Sequence, residues 1–347
     1  MKCNCDLLTK FAADVMFSAG LTREESDLFA KALVHADMRG IGSHGISRLG
    51  VYSKRIKCGV IHSGVELKVL NETPATYHFD AQAGPGVKMG REMMDKCIEK
   101  AKNVGVCFAT ARGGTHWGAL SFYTKYAAER GMIAIVSCNA EAGVVPYGGM
   151  KPMLGTNPLS IALPAKEHKP VCLDMATSMA ARGKIVLAEK EGRKIPPTWA
   201  NGSDGRPTTD PTEALAAKML LPFGAYKGYG IGLIIDMFCK CLAGAGDSRH
   251  TNSFWHDFEN PQNLGYSMIV IDVSKFCPID EFCRRADSMI DEFKAVPTDP
   301  DNDEVLMPGE KEDRKEEISA KEGVELSDVL VEELKSVGKE YGVIFPF

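Results

Sequence analysis

The sequence predicts an α/β protein, and three observations carry that prediction. Apolar runs of strand length alternate along the chain with longer segments of helical period. Two of the runs, "VGVCFATAR" (104–112) and "MIAIVSCNA" (132–140), are too continuously apolar for half-exposed strands and predict buried ones. The length of 347 residues with 44% hydrophobic content is enough for one large domain, or two intertwined ones, around a substantial core.

The elements follow in chain order. "TREESDLFAKALVHADMRG" reads as a helix: Thr22 and Glu25 have capping-box spacing, and Gly40 can end it. A further helix is predicted to begin just after Ser43-His44-Gly45 and to run to Gly59. "LKVL" and "ATYHFDAQ" alternate as strands, and "GREMMDKCIEKAKNVG" is an amphipathic helix. Between the two apolar strands lies "GGTHWGALSFYTKYAAERG", a glycine loop followed by a helix. A Gly/Pro-rich stretch from residue 141 ends in a strand at "LSIALP", and "PVCLDMATS" is a strand running into a loop. "KGYGIGLIIDMFCKCLAGAG" is almost wholly apolar, so it predicts a central buried helix over 228–244. "GYSMIVIDV" is a strand, "PIDEFCRRADSMIDEFKAV" an amphipathic helix, and Ser327 caps a last helix.

Charge and motifs exclude several function classes. The net charge of -5 comes without a basic stripe, so no nucleic-acid partner is expected. "EKEDRKEE" (310–317) mixes signs and reads as a solvated surface segment. The N-terminus lacks the apolar run and cleavage site of a signal peptide, and no window has the length of a membrane span. The 11 cysteines are scattered without C-x-x-C pairs, which predicts free thiols, a cytoplasmic location and no metal site. "GPGVKMG" (84–90) has strand-to-helix context but G-x-G-x-x-x-G spacing, and it lacks the acidic residue a dinucleotide fingerprint needs. It reads as a tight turn. No Walker loop, HExxH or G-x-S-x-G occurs.

Two histidines in glycine-rich loops remain, His44 in "GSHG" and His116 in "GTHWG". Arg48 follows His44 by four residues. On a helix the two would share a face, which Tyr52 and Arg55 would extend. A guanidinium binds a carboxylate bidentately, and an imidazole one turn away would meet the adjacent carbon. That geometry suits a 2-hydroxy or 2-oxo acid. The bland alternative is that Arg48 pairs with an acidic residue of another helix. Lys227 opens an apolar helix, where free N–H groups favour an anion, or it simply faces solvent. Asp174 ends a strand, where it would contact a ribose, orient a histidine or cap a helix.

Together these residues resemble the malate/L-lactate dehydrogenase family, which does not use the Rossmann fold. The matching segments are "ADMRGIGSHGISRL", "GGTHWGALSFYTKYA", "GTNPLSIALP", "LDMATSMAARGKI", "PFGAYKGYGIGL", "NPQNLGYSMIVIDVSKF" and "LMPGE", in the family's order. The resemblance implies a sulfolactate dehydrogenase-like α/β fold, with a cofactor domain (121–299) inserted in a substrate and dimerisation domain (1–120 plus 300–347). It implies His44 and His116 as acid/base residues, and Arg48 and Thr156 as substrate-binding residues. It implies NAD or NADP as cofactor, held by Asn139, Leu173, Asp174, Met175, Ala176, Thr177, Lys227, Gly228, Pro308, Gly309 and Glu310. It also implies a homodimer in which both subunits complete each site. The chain departs from the family pattern at Gly113-Gly114-Thr115, Trp117, "PTWAN" and Tyr266, which bear on substrate side chain and cofactor preference.

The expected function is oxidation of a small 2-hydroxy acid, malate first among lactate, sulfolactate and ureidoglycolate. His44 is preferred over His116 as proton acceptor because local structure would fix its spacing from Arg48. The competing expectations are a lyase or epimerase that uses the same histidines without a nicotinamide, and a non-catalytic carboxylate-binding protein.

Overall fold

The structure is a computed structural model that describes residues 1–347, except the side chain of residue 190. Strand β1 (Lys2–Cys3) leads into helices α1 (Cys5–Ala19) and α2 (Arg23–Met38). The expected capping box closes α2: Thr22 accepts from the Glu25 N–H, and Glu25 accepts from the Thr22 N–H. Two short 3₁₀ turns, Gly42–His44 and Ile46–Arg48, precede α3 (Leu49–Lys57). Then come β2 (Lys68–Thr73), β3 (Thr76–Asp80), α4 (Gly86–Val104), β4 (Val106–Gly114), α5 (Ser121–Ala128) and β5 (Met132–Cys138). The middle of the chain forms β6 (Leu159–Leu163), β7 (Val171–Met175), α6 (Arg182–Lys190), β8 (Ala200–Asn201), α7 (Pro211–Ala217), β9 (Met219–Leu220) and α8 (Tyr226–Met237). It ends with β10 (Leu264–Asp272), α9 (Ile279–Lys294), α10 (Glu310–Glu322), β11 (Val324–Glu325) and α11 (Asp328–Tyr341).

Seven strands form one sheet in the order β2-β3-β4-β10-β5-β6-β7, antiparallel except for β3 against β4. Helices α4 and α5 cover one face and build a core with Met89, Met93, Met94, Ala109, Val136 and Met268. The N-terminal helices and α11 form a second core around Phe11, Phe29, Leu33, Leu49 and Leu334. There β1 pairs with β11, which ties the two ends of the chain together. A third, smaller core of Val144, Leu154, Ile185, Ile195 and Leu220 holds the segment with α6 and α7. The functional cleft opens where these three bodies meet.

Three expectations need correction. The helix predicted to start after Gly45 begins only at Leu49; before it the backbone breaks at Gly45, which is extended. The cause is Asp37, which is buried and accepts a 2.6 Å hydrogen bond from the Ile46 N–H. A Cβ on Gly45 would overlap that carboxylate. Second, α8 is not central: Ile231, Ile234 and Met237 are 37%, 51% and 47% exposed. Its close-packing side is built from glycines, with Gly232 against Thr177 and Gly228 against Phe223, so the bulky residues project outward. Third, "EKEDRKEE" is not merely a solvated segment. It begins α10, and Asp313 is buried in ion pairs with Arg39 and Lys125. "GPGVKMG" is the tight strand-to-helix turn its spacing predicts, between β3 and α4, and its glycines serve packing. A Cβ on Gly86 would stand 2.5 Å from the His116 carbonyl oxygen, and one on Gly90 would stand 2.6 Å from the Trp117 ring.

Gly45→Ala should destabilise the protein by about 1–3 kcal/mol, the usual result of overpacking. Chemical denaturation measures it. Adding Asp37→Ala, which removes the obstructing carboxylate, should recover part of the loss.

Candidate active site

His44 and Arg48 reach one place by a bend rather than along a helix face. Arg48 folds back so that its Nε donates to the Ser43 carbonyl at 2.6 Å. Its guanidinium lies over the Trp255 ring, 4.1 Å from the centroid, with Phe254 at 5.6 Å. Arg48 makes no ion pair among the described residues, so the bland alternative of a structural partner does not hold. Burial pushes its pKa down to about 10. An unpaired, planar, half-buried guanidinium with its terminal nitrogens free is suited to receive a carboxylate.

His116 faces His44 from the sheet side. The two rings stack at 5.6 Å with 21° between their planes. Tyr52, fully buried in α3, hydrogen-bonds His116 Nδ1 through its hydroxyl. The Gly118 N–H also donates to Nδ1, at 3.3 Å. A backbone N–H only donates, so Nδ1 is the acceptor and Nε2 carries the proton of the neutral ring. Burial, with the positive groups His44, Arg48 and Arg55 nearby, holds the His116 pKa well below the usual histidine value. His44 shares a 3.0 Å hydrogen bond between Nδ1 and Ser43 Oγ, and has no protein partner on Nε2. Burial and then Arg48 bring its pKa down to about 4. Both rings keep an edge open to the cleft, so a docked ligand changes these environments directly.

Sequence reasoning missed the wall that completes this cleft. Arg55 is buried and donates from Nη1 to the carbonyls of Ser253, Phe254 and Asp257, the last at 2.5 Å. It thereby fixes the loop whose Phe254 packs on His116 at 4.8 Å and whose Trp255 carries Arg48. Gln262 accepts from the His116 N–H at 2.8 Å. The aromatic run "SFWHDF" was the available signal, but nothing in it names its partner. Glu141, Arg182 and Lys218 also line the cleft, which encloses roughly 1280 Å³ including its open mouth.

The other singled-out residues fall in several places. Thr156 lines the cleft, and its carbonyl accepts from the Thr177 N–H and hydroxyl at 2.8 and 3.0 Å. Asn139 lines it too, but its side chain is an internal brace: it donates to Gly246 and Asp236 and accepts from the Gly265 N–H. Leu173, Asp174 and Met175 lie in β7, and Ala176 follows. Asp174 accepts from the Ser121 N–H at 2.7 Å and so serves the N-terminus of α5. Burial raises its pKa. Pro308 accepts from the Cys172 N–H, and Gly309 packs against Cys172. Glu310 is held by Lys294 and Arg314, beside a second cleft. Lys227 and Gly228 sit in the first turn of α8; Lys227 is exposed and lies outside the cleft of His44 and Arg48. Within one chain these groups do not converge on a single cleft.

Known proteins share the sequence pattern and the fold of this chain. A profile of the malate/L-lactate dehydrogenase family matches residues 4–335. The chain is similar to L-sulfolactate dehydrogenase of Methanocaldococcus jannaschii, 37% identical over 338 residues, covering 96% of this chain and 95% of that protein. It is similar to the NAD(+) ureidoglycolate dehydrogenase of Escherichia coli K12, 35% identical over 339 residues and covering 97% and 95% of the two chains. The solved malate dehydrogenase of Entamoeba histolytica superposes with a TM-score of 0.95 at 30% identity, covering 100% and 99% of the chains. The mixed sheet, its helical flank and nearly the whole length are thus common to this chain and those proteins. The chain belongs to the malate/L-lactate dehydrogenase family.

Proposed function

We propose that this protein is an NAD(P)-dependent dehydrogenase of a small 2-hydroxy acid, with malate the first substrate and oxaloacetate its product. The observation that carries the reading is Arg48, a cation without a counter-ion in the cleft that also holds two partly open histidines. Relatives acting on sulfolactate, ureidoglycolate and malate share one requirement, a carboxylate beside a carbon bearing a hydroxyl.

The cleft suits a dinucleotide. No heavy atom stands within 4 Å of where a Cβ would lie on Gly118 or Gly143, so both leave open space at its wall. Arg182 and Lys218 carry no ion pair among the described residues and would meet an anionic group. Asn139, Thr156, the 173–177 segment, Lys227-Gly228 and the 308–310 turn are the residues we assign to the cofactor and its surroundings. When bound, the nicotinamide supplies the hydride acceptor for oxidation and the donor for reduction.

The protein's own groups do the rest. Arg48 holds the C1 carboxylate against the Trp255 face and so orients C2. His116, with Nδ1 committed to Tyr52 and Gly118, presents its Nε2–H to the oxygen on C2. His44 takes the hydroxyl proton, since its Nε2 is free of protein partners. A carboxylate docked on Arg48 offsets the positive charge that helps depress the His44 pKa, so substrate binding makes His44 a better base. In reduction the protonated His44 returns the proton. The preference for His44 therefore rests on hydrogen-bond roles, not on helical spacing.

A second copy of the chain completes the assembly we propose. The exposed Ile231 and Ile234 of α8 border an apolar groove against Phe108, Ile135 and Ile269 of the sheet. Such a face fits a homodimer, in which each subunit lends residues to the other's site. With its thiols unpaired, the protein is assigned to the cytoplasm.

Five outcomes test the reading. Adding oxaloacetate to protein with NADH or NADPH should lower the nicotinamide absorbance; no cofactor binding at all would refute it, and turnover without cofactor would favour a lyase or epimerase. Arg48→Lys should raise KM for the oxo acid by about a hundredfold, the equivalent of roughly 2–3 kcal/mol for a lost bidentate contact. His44→Ala should slow single-turnover hydride transfer by about 10² or more, and near-normal transfer would overturn its assignment. In the wild type, kcat/KM for reduction should fall as pH rises above about 4, because reduction needs the protonated His44, while oxidation needs the neutral form and does not share that fall. Sedimentation should show twice the chain mass, and Ile234→Glu should shift it toward the monomer.

A further inference from the structure

Trp117 and Tyr266 lie face to face. Their rings are 3.9 Å apart with 7° between the planes. Gly114 belongs to the same cluster: a Cβ there would stand 2.6 Å from Tyr266 Cε1 and 2.7 Å from its hydroxyl oxygen. The three positions are therefore mutually fitted. The bulky ring of Tyr266 has room because position 114 has no side chain, and Trp117 covers the ring's other side.

This cluster brackets His116. The Tyr266 hydroxyl donates to the carbonyl of Thr115, the residue before the histidine. The Tyr266 ring supports the side chain of Trp117, the residue after it. Trp117 is held further by its indole N–H, which donates to Cys138 Sγ at 3.1 Å, and by its carbonyl, which accepts from Tyr123 at 2.6 Å. Thr115 donates from its hydroxyl to the Gly84 carbonyl at 2.8 Å. With both flanking residues pinned, the backbone torsions of His116 have little freedom, and the imidazole is directed at Tyr52 and His44. Tyr266 itself is fully buried and does not line the cleft. β10 delivers it there through a register shift between Leu264 and Tyr266 against β4.

We propose that Tyr266 is the positioning residue for His116, acting through the Thr115 carbonyl and the Trp117 ring. The proposal rests on the functional reading above only in taking His116 to meet the substrate. It predicts a pattern that general loss of packing would not produce. Arg48 sits on another element and keeps its grip, so substrate binding is preserved while turnover suffers.

The test is Tyr266→Phe, which removes the hydroxyl and keeps the stack, with Trp117→Phe as the second variant should the first fail to fold. Tyr126→Phe, which loses a tyrosine–Asp95 hydrogen bond away from the cleft, is the stability control. Kinetics and the ¹⁵N imidazole signals of His116 are both read. Expected for Tyr266→Phe are a kcat lower by about ten- to a hundredfold, KM for the oxo acid within about twofold, and a His116 spectrum moved away from the single Nε2–H tautomer. The control should show none of these changes. An unchanged His116 spectrum, with or without lost activity, overturns the proposal. If the wild-type chain turns over no 2-hydroxy acid, the functional reading fails, and the ¹⁵N arm still decides the positioning claim in the free protein.

Discussion

The hydrogen bond between Tyr52 and His116 joins two bodies that share no sheet. Tyr52 belongs to the helical body with α1, α2 and α11, and His116 follows the central strand β4. Both side chains contact Phe254, so the loop that covers the cleft rests on the same pair. This one contact brings Arg48, His44 and His116 within reach of each other. The Gly118 N–H, donating to the same Nδ1, settles which nitrogen of His116 carries the proton. Because Tyr52 is fully buried, burial raises its pKa and it remains a neutral phenol. The link is then a neutral hydrogen bond, insensitive to pH over the ordinary range.

Charge reinforces the same junction from behind. Arg39 at the end of α2 and Lys125 in α5 share Asp313 and Glu316 of α10, so two cations and two carboxylates balance in a largely buried cluster. A buried ion network is not in general a source of net stability, since desolvation offsets much of the attraction. Its value here is directional: three helices from distant parts of the chain have one arrangement that satisfies every charge. His35, packed beside it, is kept neutral by burial, with a pKa of about 4. Asp174 holds the start of α5 by accepting from its Ser121 N–H. The helix that follows the His116 loop is thus fixed at both its first turn and its buried face.

Glycine placement explains much of what periodicity alone obscured. An apolar helix of near-uniform hydropathy predicts burial, yet α8 turns its glycines inward and its isoleucines outward. The hydrophobic pattern reports that a segment avoids water, but not whether its own fold or a second chain provides the shelter. The glycines of "GPGVKMG" look like a phosphate turn on context, and they are instead the bed on which the His116 loop lies. In both cases the residue type was visible and the neighbour was not.

The sequence by itself determined the α/β class, the capped helices, the buried central strands and the candidacy of His44, His116 and Arg48. These follow from local rules: period, capping spacing, and the few side chains able to carry a proton or grip a carboxylate. Tertiary structure alone decided how those three residues meet. The bend at Gly45 depends on Asp37, eight residues earlier; the anchoring of His116 Nδ1 depends on Tyr52, 64 residues away; and the platform under Arg48 depends on Trp255. It also decided that Asn139, which lines the cleft, spends its side chain on internal hydrogen bonds. Such contacts lie between segments far apart in the chain, where periodicity carries no information, and only the packed fold fixes their distances.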